Sequence, residues 1–331
     1  MTTLVAQLAP QRSTQYTALV RELAQPELRL SPLGSQLQNL AWVTLGGREY
    51  LKFDLSTRPD AQQLGELGAL ATATAFFVYH EEVDGLAGPL LQPLDTPFQP
   101  ALPLDLVMTR RYRGKTNELF THFLCNLARF SSGFAHLPWS ALQVFDPLAG
   151  GSTTLFTALV LGAQTAGVEQ SSQDVTSSVA FLRQYSHEEG IACQMKEERL
   201  KKFGQRWLFT LGKSNPQRCT FVCGETTQSP VLLPGFKPQL IVTDLPYGIQ
   251  HHGPLVGLLS KALPVWAGML TTHGALVFAW DATRFSRPEM VALVEQVSPL
   301  RVLNHPPYNQ LAHRVDRVIK ARDVVVAHRP I

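Results

Sequence analysis

The chain has 331 residues, 45% of them hydrophobic and 17% charged, which suits about two packed domains and excludes a disordered polymer. Four cysteines are too few for a disulfide scaffold of this length, and no apolar run of ~18 residues reads as a membrane span. The formal net charge of +3 is mildly basic, compatible with a polyanionic partner without requiring one.

The opening MTTLVAQLAPQRST has no charged region ahead of a long apolar stretch, which argues against a secretory leader. The expectation is therefore a cytoplasmic protein with no membrane partner, its oligomeric state left open. Residues 15–24 have helical spacing. Residues 39–43 and 49–54 read as strands joined at Gly46-Gly47, residues 61–73 as a helix, and Ala75–His80 as another strand. Five prolines (Pro89, Pro93, Pro97, Pro100, Pro103) mark residues 88–104 as a linker. The predicted domains are a small α+β domain over 1–104, with a role in substrate recognition, and a larger domain over 105–331.

Beyond residue 105, apolar strand runs alternate with helical runs. The strands are Leu142–Phe145, Thr165–Glu169, Thr220–Cys223, Gln239–Thr243, Ala275–Trp280, Leu300–Leu303 and Val315–Ala327, the last broken. Helices fall near 116–130, 152–163, 172–188, 255–270 and 287–297. Nearly all-apolar strands flanked by helices imply a parallel sheet covered on both faces.

Two strand ends carry the chemistry. In Val144-Phe145-Asp146-Pro147-Leu148-Ala149-Gly150-Gly151-Ser152-Thr153-Thr154 a strand meets a glycine turn and then a helix start, where free N–H groups face a ligand and Ser152 or Thr153 is placed to cap. The next strand ends in Glu169, positioned to accept both hydroxyls of a ribose. There is no G-x-G-x-x-G fingerprint and no G-K-[ST] at the turn, which disfavours a nicotinamide cofactor and nucleotide hydrolysis. The second end, Ile241-Val242-Thr243-Asp244-Leu245-Pro246-Tyr247-Gly248, joins a buried strand to a carboxylate, a rigid turn and an aromatic ring. An exocyclic amine on a base is a poor nucleophile, because its lone pair is delocalised. Asp244 and a turn carbonyl can accept its protons and favour a tetrahedral nitrogen, and Tyr247 offers a stacking face worth ~1–3 kcal/mol per base.

The order Asp146, Pro147, Gly150, Thr153 matches a pattern Asp-Pro-x-x-Gly-x-Gly-Thr. Asp244, Leu245, Pro246, Tyr247 and Gly248 match Asp/Asn-Pro/Leu-Pro-Tyr/Phe-Gly. Together they resemble the amino-methyltransferase group of Rossmann-like S-adenosylmethionine enzymes, especially the tRNA guanine-N2 methyltransferases, over about residues 108–328. The resemblance implies a Rossmann-like methyltransferase sheet, mostly parallel with an antiparallel last strand. It implies S-adenosylmethionine as cofactor and a nucleic-acid partner, RNA above DNA. Glu169 falls at the family's ribose acid, Gly224-Glu225 at its adenine-contacting pair, and Thr116, Asn117 and Glu118 in the segment closing over the methionine part. Asp244, Leu245, Pro246 and Tyr247 become the catalytic set. Ser152 stands where the family has a second glycine, and Glu225 is one methylene longer than the usual Asp. No full RNA-binding THUMP module is visible. The alternatives are DNA adenine-N6 or cytosine-N4 methylation, protein glutamine methylation and, in another class, a catalytically silent nucleic-acid-binding module.

Other features have blander readings. Met195–Arg218 is basic, with Phe203 and Trp207 interleaved, and reads as a solvated helix face with both aromatics packed inward. Arg110, Arg111 and Arg113 are better phosphate-contact candidates. His305-Pro306-Pro307-Tyr308 reads as a loop before the last hairpin. His251 and His252 are placed to line a substrate mouth, and His313 reads as an ordinary histidine. Cys219 and Cys223 read as reduced thiols, and no metal is expected.

Overall fold

The computed structural model describes residues 1–11, 14–112, 114–200, 203–246, 252–315 and 321–330, without the side chains of 14–16 and 252. Contacts divide the chain into two compact units. One is Met1–Gln99 with His305–Arg322, the other Pro100–Asn304 with Asp323–Ile331.

The first unit runs β1 (Thr2–Leu8), α1 (Thr14–Leu30), β2 (Gln38–Leu45), β3 (Arg48–Leu55), α2 (Ala61–Gly68), β4 (Ala73–Val83) and β5 (Leu86–Leu94), and its sheet has the order β2-β3-β1-β4-β5. The core is a βαββαβ unit extended by one hairpin strand. Gly46 and Gly47 both have positive φ, 55° and 74°, as a two-residue β2–β3 turn needs. Asp60 and Gln63 form a capping box that starts α2. Glu27 of α1 is 1% exposed, and its carboxylate accepts from Ala71 N (2.9 Å), Thr72 N (2.9 Å) and Thr72 Oγ1 (2.6 Å), fastening α1 to the start of β4.

Two expectations are corrected here, and one strand is not read from the sequence. The expected linker over 88–104 begins as a strand: Pro89 and Pro93 lie in β5, and an edge strand tolerates residues without an N–H. The helix expected to 73 stops at Gly68. The central strand β1 has no counterpart in the sequence reading, because Leu4, Val5 and Ala6 are all buried and its alternation is lost.

The second unit runs α3 (Asp105–Met108), α4 (Glu118–Phe130), β6 (Gln143–Asp146), α5 (Thr153–Leu161), β7 (Gln164–Glu169), α6 (Ser172–Glu188), β8 (Cys193–Leu200), β9 (Gly204–Leu211), β10 (Gln217–Cys223), α7 (Ser229–Leu232), β11 (Leu240–Asp244), α8 (His252–Met269), β12 (Ala275–Asp281), α9 (Arg287–Val297), β13 (Arg301–Val302) and β14 (Arg322–His328). Its sheet has the order β13-β14-β12-β11-β6-β7-β10-β9-β8. Strands β10, β7, β6, β11 and β12 are parallel, and β13 pairs antiparallel with β14. Arg329, just past β14, exchanges backbone bonds with His273 and Gly274, just before β12, so β14 runs against β12. This is the Rossmann-like sheet with an antiparallel last strand that the motifs imply.

Apolar residues cover both faces. On one side Phe145, Ile241, Trp266 and Trp280 pack with α8 and α9, and on the other Leu155, Phe156 and Leu159 of α5 pack with α6 and β10. Every residue of α5 is buried, and each large side chain there contributes about 1.5–3 kcal/mol. The basic stretch after Met195 is not a helix. It forms the β8–β9 hairpin, paired antiparallel from Cys193↔Leu211 to Leu200↔Gly204, and continues into β10. Trp207 is buried as expected, but Phe203 at the turn is 40% exposed. Among the described residues no helix is long and apolar enough to cross a membrane.

The chain lays down β6, moves outward to β7 and β10, then returns to place β11 on the other side of β6. That reversal opens a crevice at the carboxyl ends of β6 and β11. Ile241 pairs with Phe145, so Asp244 projects two residues, roughly 7 Å, beyond Asp146 along the same edge.

Candidate functional site

The floor is the turn after β6. Ala149 N–H donates to Val168 O (2.9 Å), tying the turn to β7, and Gly150 has φ 45°. Gly150 N–H donates to Glu169 Oε2 (2.9 Å), and Ser171 N–H to Glu169 Oε1 (2.8 Å). The carboxylate of Glu169 thus links the glycine turn to the start of α6. Asp146 is 2% exposed, and Leu148 N–H donates to its Oδ1 (3.1 Å). Burial pushes the Asp146 carboxyl up to about 6, with Glu169 adding repulsion and the Thr154 hydroxyl and Leu148 N–H opposing the rise.

Ser152 occupies the N-cap position of α5 at φ 69° but makes no capping bond, contrary to one of the two capping choices read from the sequence. Its Oγ donates instead to Ser178 Oγ (3.0 Å) on α6, so the side chain turns away from the cleft. The glycine the family pattern has here suits the left-handed backbone.

Residues 110–112 and 114–116 form a strap over this turn. The Arg110 guanidinium is 7% exposed and donates to Gly151 O, to Ser178 Oγ (2.8 Å) and to Ser177 Oγ (3.3 Å). It also lies 5.0 Å from the Tyr112 ring and 5.6 Å from each of the Phe156 and Phe181 rings. Arg110 is therefore a structural clasp rather than the expected phosphate contact. Arg111 is exposed, and Arg113 lies outside the described residues. The Tyr112 ring covers Gly151, where any Cβ would collide with it, and its hydroxyl meets Thr153 Oγ1. Burial pushes the Tyr112 phenol up. Lys115 Nζ donates backwards, to Val107 O (2.6 Å) and Arg110 O (2.8 Å), and pairs with Glu118. Asn117 caps α4 by accepting from Phe120 N (3.0 Å). Thr116 Oγ1 crosses to the next strand tip and donates to Asp244 Oδ2 (2.7 Å).

Asp244 ends β11. The buried Leu245 follows, and its N–H donates to Ala279 O (3.0 Å) of β12. Pro246 is exposed at the cleft, whereas Tyr247, Gly248 and His251 lie outside the described residues. On the far side, Gly224 N–H donates to Glu169 O (3.0 Å), and Glu225 Oε1 accepts from Thr227 Oγ1 (2.7 Å).

These pieces enclose a cleft of about 570 Å³, within the usual range for a small-molecule site. It is lined by Thr116, Asp146, Pro147, Gly150, Thr153, Glu169, Gly224, Glu225, Asp244, Leu245 and Pro246. Asn117 and Glu118 do not line it. Tyr112, Gln170 and Asp174 do line it and were not singled out from the sequence; the signal for Tyr112 is its place in the strap just before Gly114-Lys115-Thr116. Five carboxylates (Asp146, Glu169, Asp174, Glu225, Asp244) face the cleft, and no Lys or Arg does among the described residues. Such a cleft favours a cationic ligand over a polyphosphate. The residues fit S-adenosylmethionine, which pairs ribose hydroxyls with a sulfonium and an ammonium charge.

Elsewhere, burial pushes the Cys219 thiol up to about 12, and no metal-ligating cluster occurs among the described residues. His313 is buried, with Nδ1 2.9 Å from Leu311 O, in the segment grouped with the first unit. The backbone of Phe203 lies against Gly224: a Cβ on Gly224 would sit 3.1 Å from Phe203 O.

No protein-family pattern matches the chain, and no curated protein matches it. Its chain trace is similar to that of TrmN from Thermus thermophilus, with 13% identity, TM-score 0.47, and coverage of 99% of this chain and 100% of that one. It is also similar to the rRNA methyltransferase AviRa from Streptomyces viridochromogenes, with 14% identity, TM-score 0.40, and coverage of 68% and 92%. A third is magnesium protoporphyrin IX methyltransferase from Synechocystis with bound SAM, at 12% identity, TM-score 0.36, and coverage of 66% and 86%.

Proposed function

We propose that the chain is an S-adenosylmethionine-dependent methyltransferase acting on an exocyclic amino group of a nucleic-acid base, guanine N2 in tRNA or rRNA being the favoured target. The observation that carries the reading is the juxtaposition of Asp146 and Asp244 at one edge of the sheet, over a cleft whose charged lining among the described residues is acidic.

When bound, S-adenosylmethionine supplies an electrophilic methyl group. In this reading Glu169 accepts from the ribose hydroxyls, Glu225 and Gly224 meet the adenine end, and Asp146 faces the cationic end. The bare Gly150 backbone permits close approach. Asp244 accepts from the amine, aims its lone pair, and receives the proton directly or through water. Tyr247 carries the stacking role by its place in the motif. Alignment of the two reactants provides most of the acceleration. The small N-terminal domain contributes to substrate recognition.

The test is incubation with labelled cofactor and separate pools of tRNA, rRNA, DNA and protein, followed by nucleoside mass spectrometry. Label in N2-methylguanosine supports the full reading, and label in N6-methyladenine or N4-methylcytosine of DNA moves the target. Label only in protein removes the base reading. Calorimetry that detects no S-adenosylmethionine binding favours the silent module.

A further inference from the structure

We infer that Thr116 is a positioning residue for Asp244, held in place by a strap that is itself locked to the glycine turn. The inference rests on the proposed methyltransferase reading of this site. Thr116 and Asp244 are 128 residues apart, yet the Thr116 hydroxyl donates to Asp244 Oδ2 at 2.7 Å.

Two features make the contact more than incidental. The first is anchorage. Arg110 holds Gly151 O and two serines of α6, and the Tyr112 ring rests on Gly151 with its hydroxyl on Thr153. Asn117, directly after Thr116, caps α4. Thr116 therefore stands between two fixed points, and its β-branched side chain has few rotamers to lose.

The second feature is charge. Lys115, the residue before Thr116, directs its ammonium to Val107 O, Arg110 O and Glu118. Thr116 thus presents a neutral donor to Asp244, while the ammonium of Lys115 is engaged elsewhere. A hydroxyl donor fixes the plane of the carboxylate and favours its ionised form without neutralising it. An ammonium in the same place would form an ion pair and weaken the acceptor. Among the described residues, the charged groups on elements packed around this tip include Asp146 on β6, Asp281 at the end of β12, which pairs with Arg284 at 3.5 Å, and Glu118 on α4.

The experiment compares Thr116→Val, which keeps the shape and removes the donor, with Thr116→Ser, which keeps the donor. For Thr116→Val, kcat is expected to fall about 10- to 100-fold, with KM for the methyl donor within about threefold of wild type, and Thr116→Ser restores most of the loss. The acidic limb of the pH–rate profile moves to higher pH in Thr116→Val, because the carboxylate loses a stabilising donor. Carboxyl-carbon NMR titration of Asp244 reads the same bond without turnover, and its midpoint rises in Thr116→Val and not in Thr116→Ser. An unchanged Asp244 midpoint, or wild-type kcat in Thr116→Val, overturns the inference. Equal loss of kcat and cofactor affinity in both variants overturns it as well, since that marks a merely structural residue. Failure of the wild-type protein to methylate any pool, with the titration shift present, removes the enzyme reading and leaves the Thr116–Asp244 coupling standing.

Discussion

Asp54 and Glu27 of the first unit and Asp146 of the second show two opposite fates of a buried carboxylate. In the first, Asp54 accepts from Thr3 Oγ1 (2.6 Å) and Asn39 Nδ2 (2.7 Å), and the Thr3 bond holds its carboxyl below the ordinary value. Glu27 is likewise surrounded by three donors. In the second, burial dominates at Asp146 and pushes its carboxyl up to about 6, and the acids Glu169, Asp244 and Glu225 line the same cleft. A buried acid met by fixed donors strengthens a fold. Acids gathered at parallel strand ends, with the opposing cation left to a ligand, lower stability and create a binding site.

The sharpest break in this comparison is Asp244→Ala. Turnover should fall by roughly a thousandfold or more, with S-adenosylmethionine affinity changed less than about threefold, read by label transfer and calorimetry. Full activity would remove Asp244 from the mechanism. Glu27→Ala tests the other side. Stranding the Ala71 and Thr72 donors should cost about 2–4 kcal/mol in denaturant unfolding of the first unit, with cofactor affinity unchanged; unchanged stability would mean that the donors find other partners.

A smaller effect follows from Asp146. A bound cation favours the ionised carboxyl, so cofactor affinity should weaken as pH falls through about 6. Without ligand the sign reverses. The folded carboxyl lies above its ordinary 3.8, the folded state holds the extra proton, and stability declines as pH rises from 3.8 to about 6. Asp146→Asn should flatten both profiles, and calorimetry and unfolding at pH 5 and 7.5 compare them directly. The smallest expected effect is that of Ser152→Gly. Relief of the left-handed backbone offsets loss of the Ser178 bond, so stability should stay within about 1 kcal/mol and cofactor affinity should not change. A large rise in affinity would show that the Ser152 side chain crowds the cleft after all.

By itself, the sequence determined the parallel sheet and the acids that end its strands. The strands β6, β7, β11 and β12 are short, apolar and bounded by turn residues, so local pattern identifies them, and Asp146, Glu169 and Asp244 end their strands in register with that pattern. Tertiary structure decided what local pattern cannot encode. Charges on the outer faces disguised the β8–β9 hairpin as a helix surface, and prolines disguised the edge strand β5 as a linker. The grouping of His305–Arg322 with Met1–Gln99 depends on contacts about three hundred residues apart. Whether Arg110 meets phosphate or clasps Gly151, which way Ser152 turns, and that Thr116 reaches Asp244 are all set by side chains that become neighbours only after the strands pair. Periodicity is a property of a few adjacent residues, whereas a strap across two strand tips exists only once long-range packing has brought those tips together.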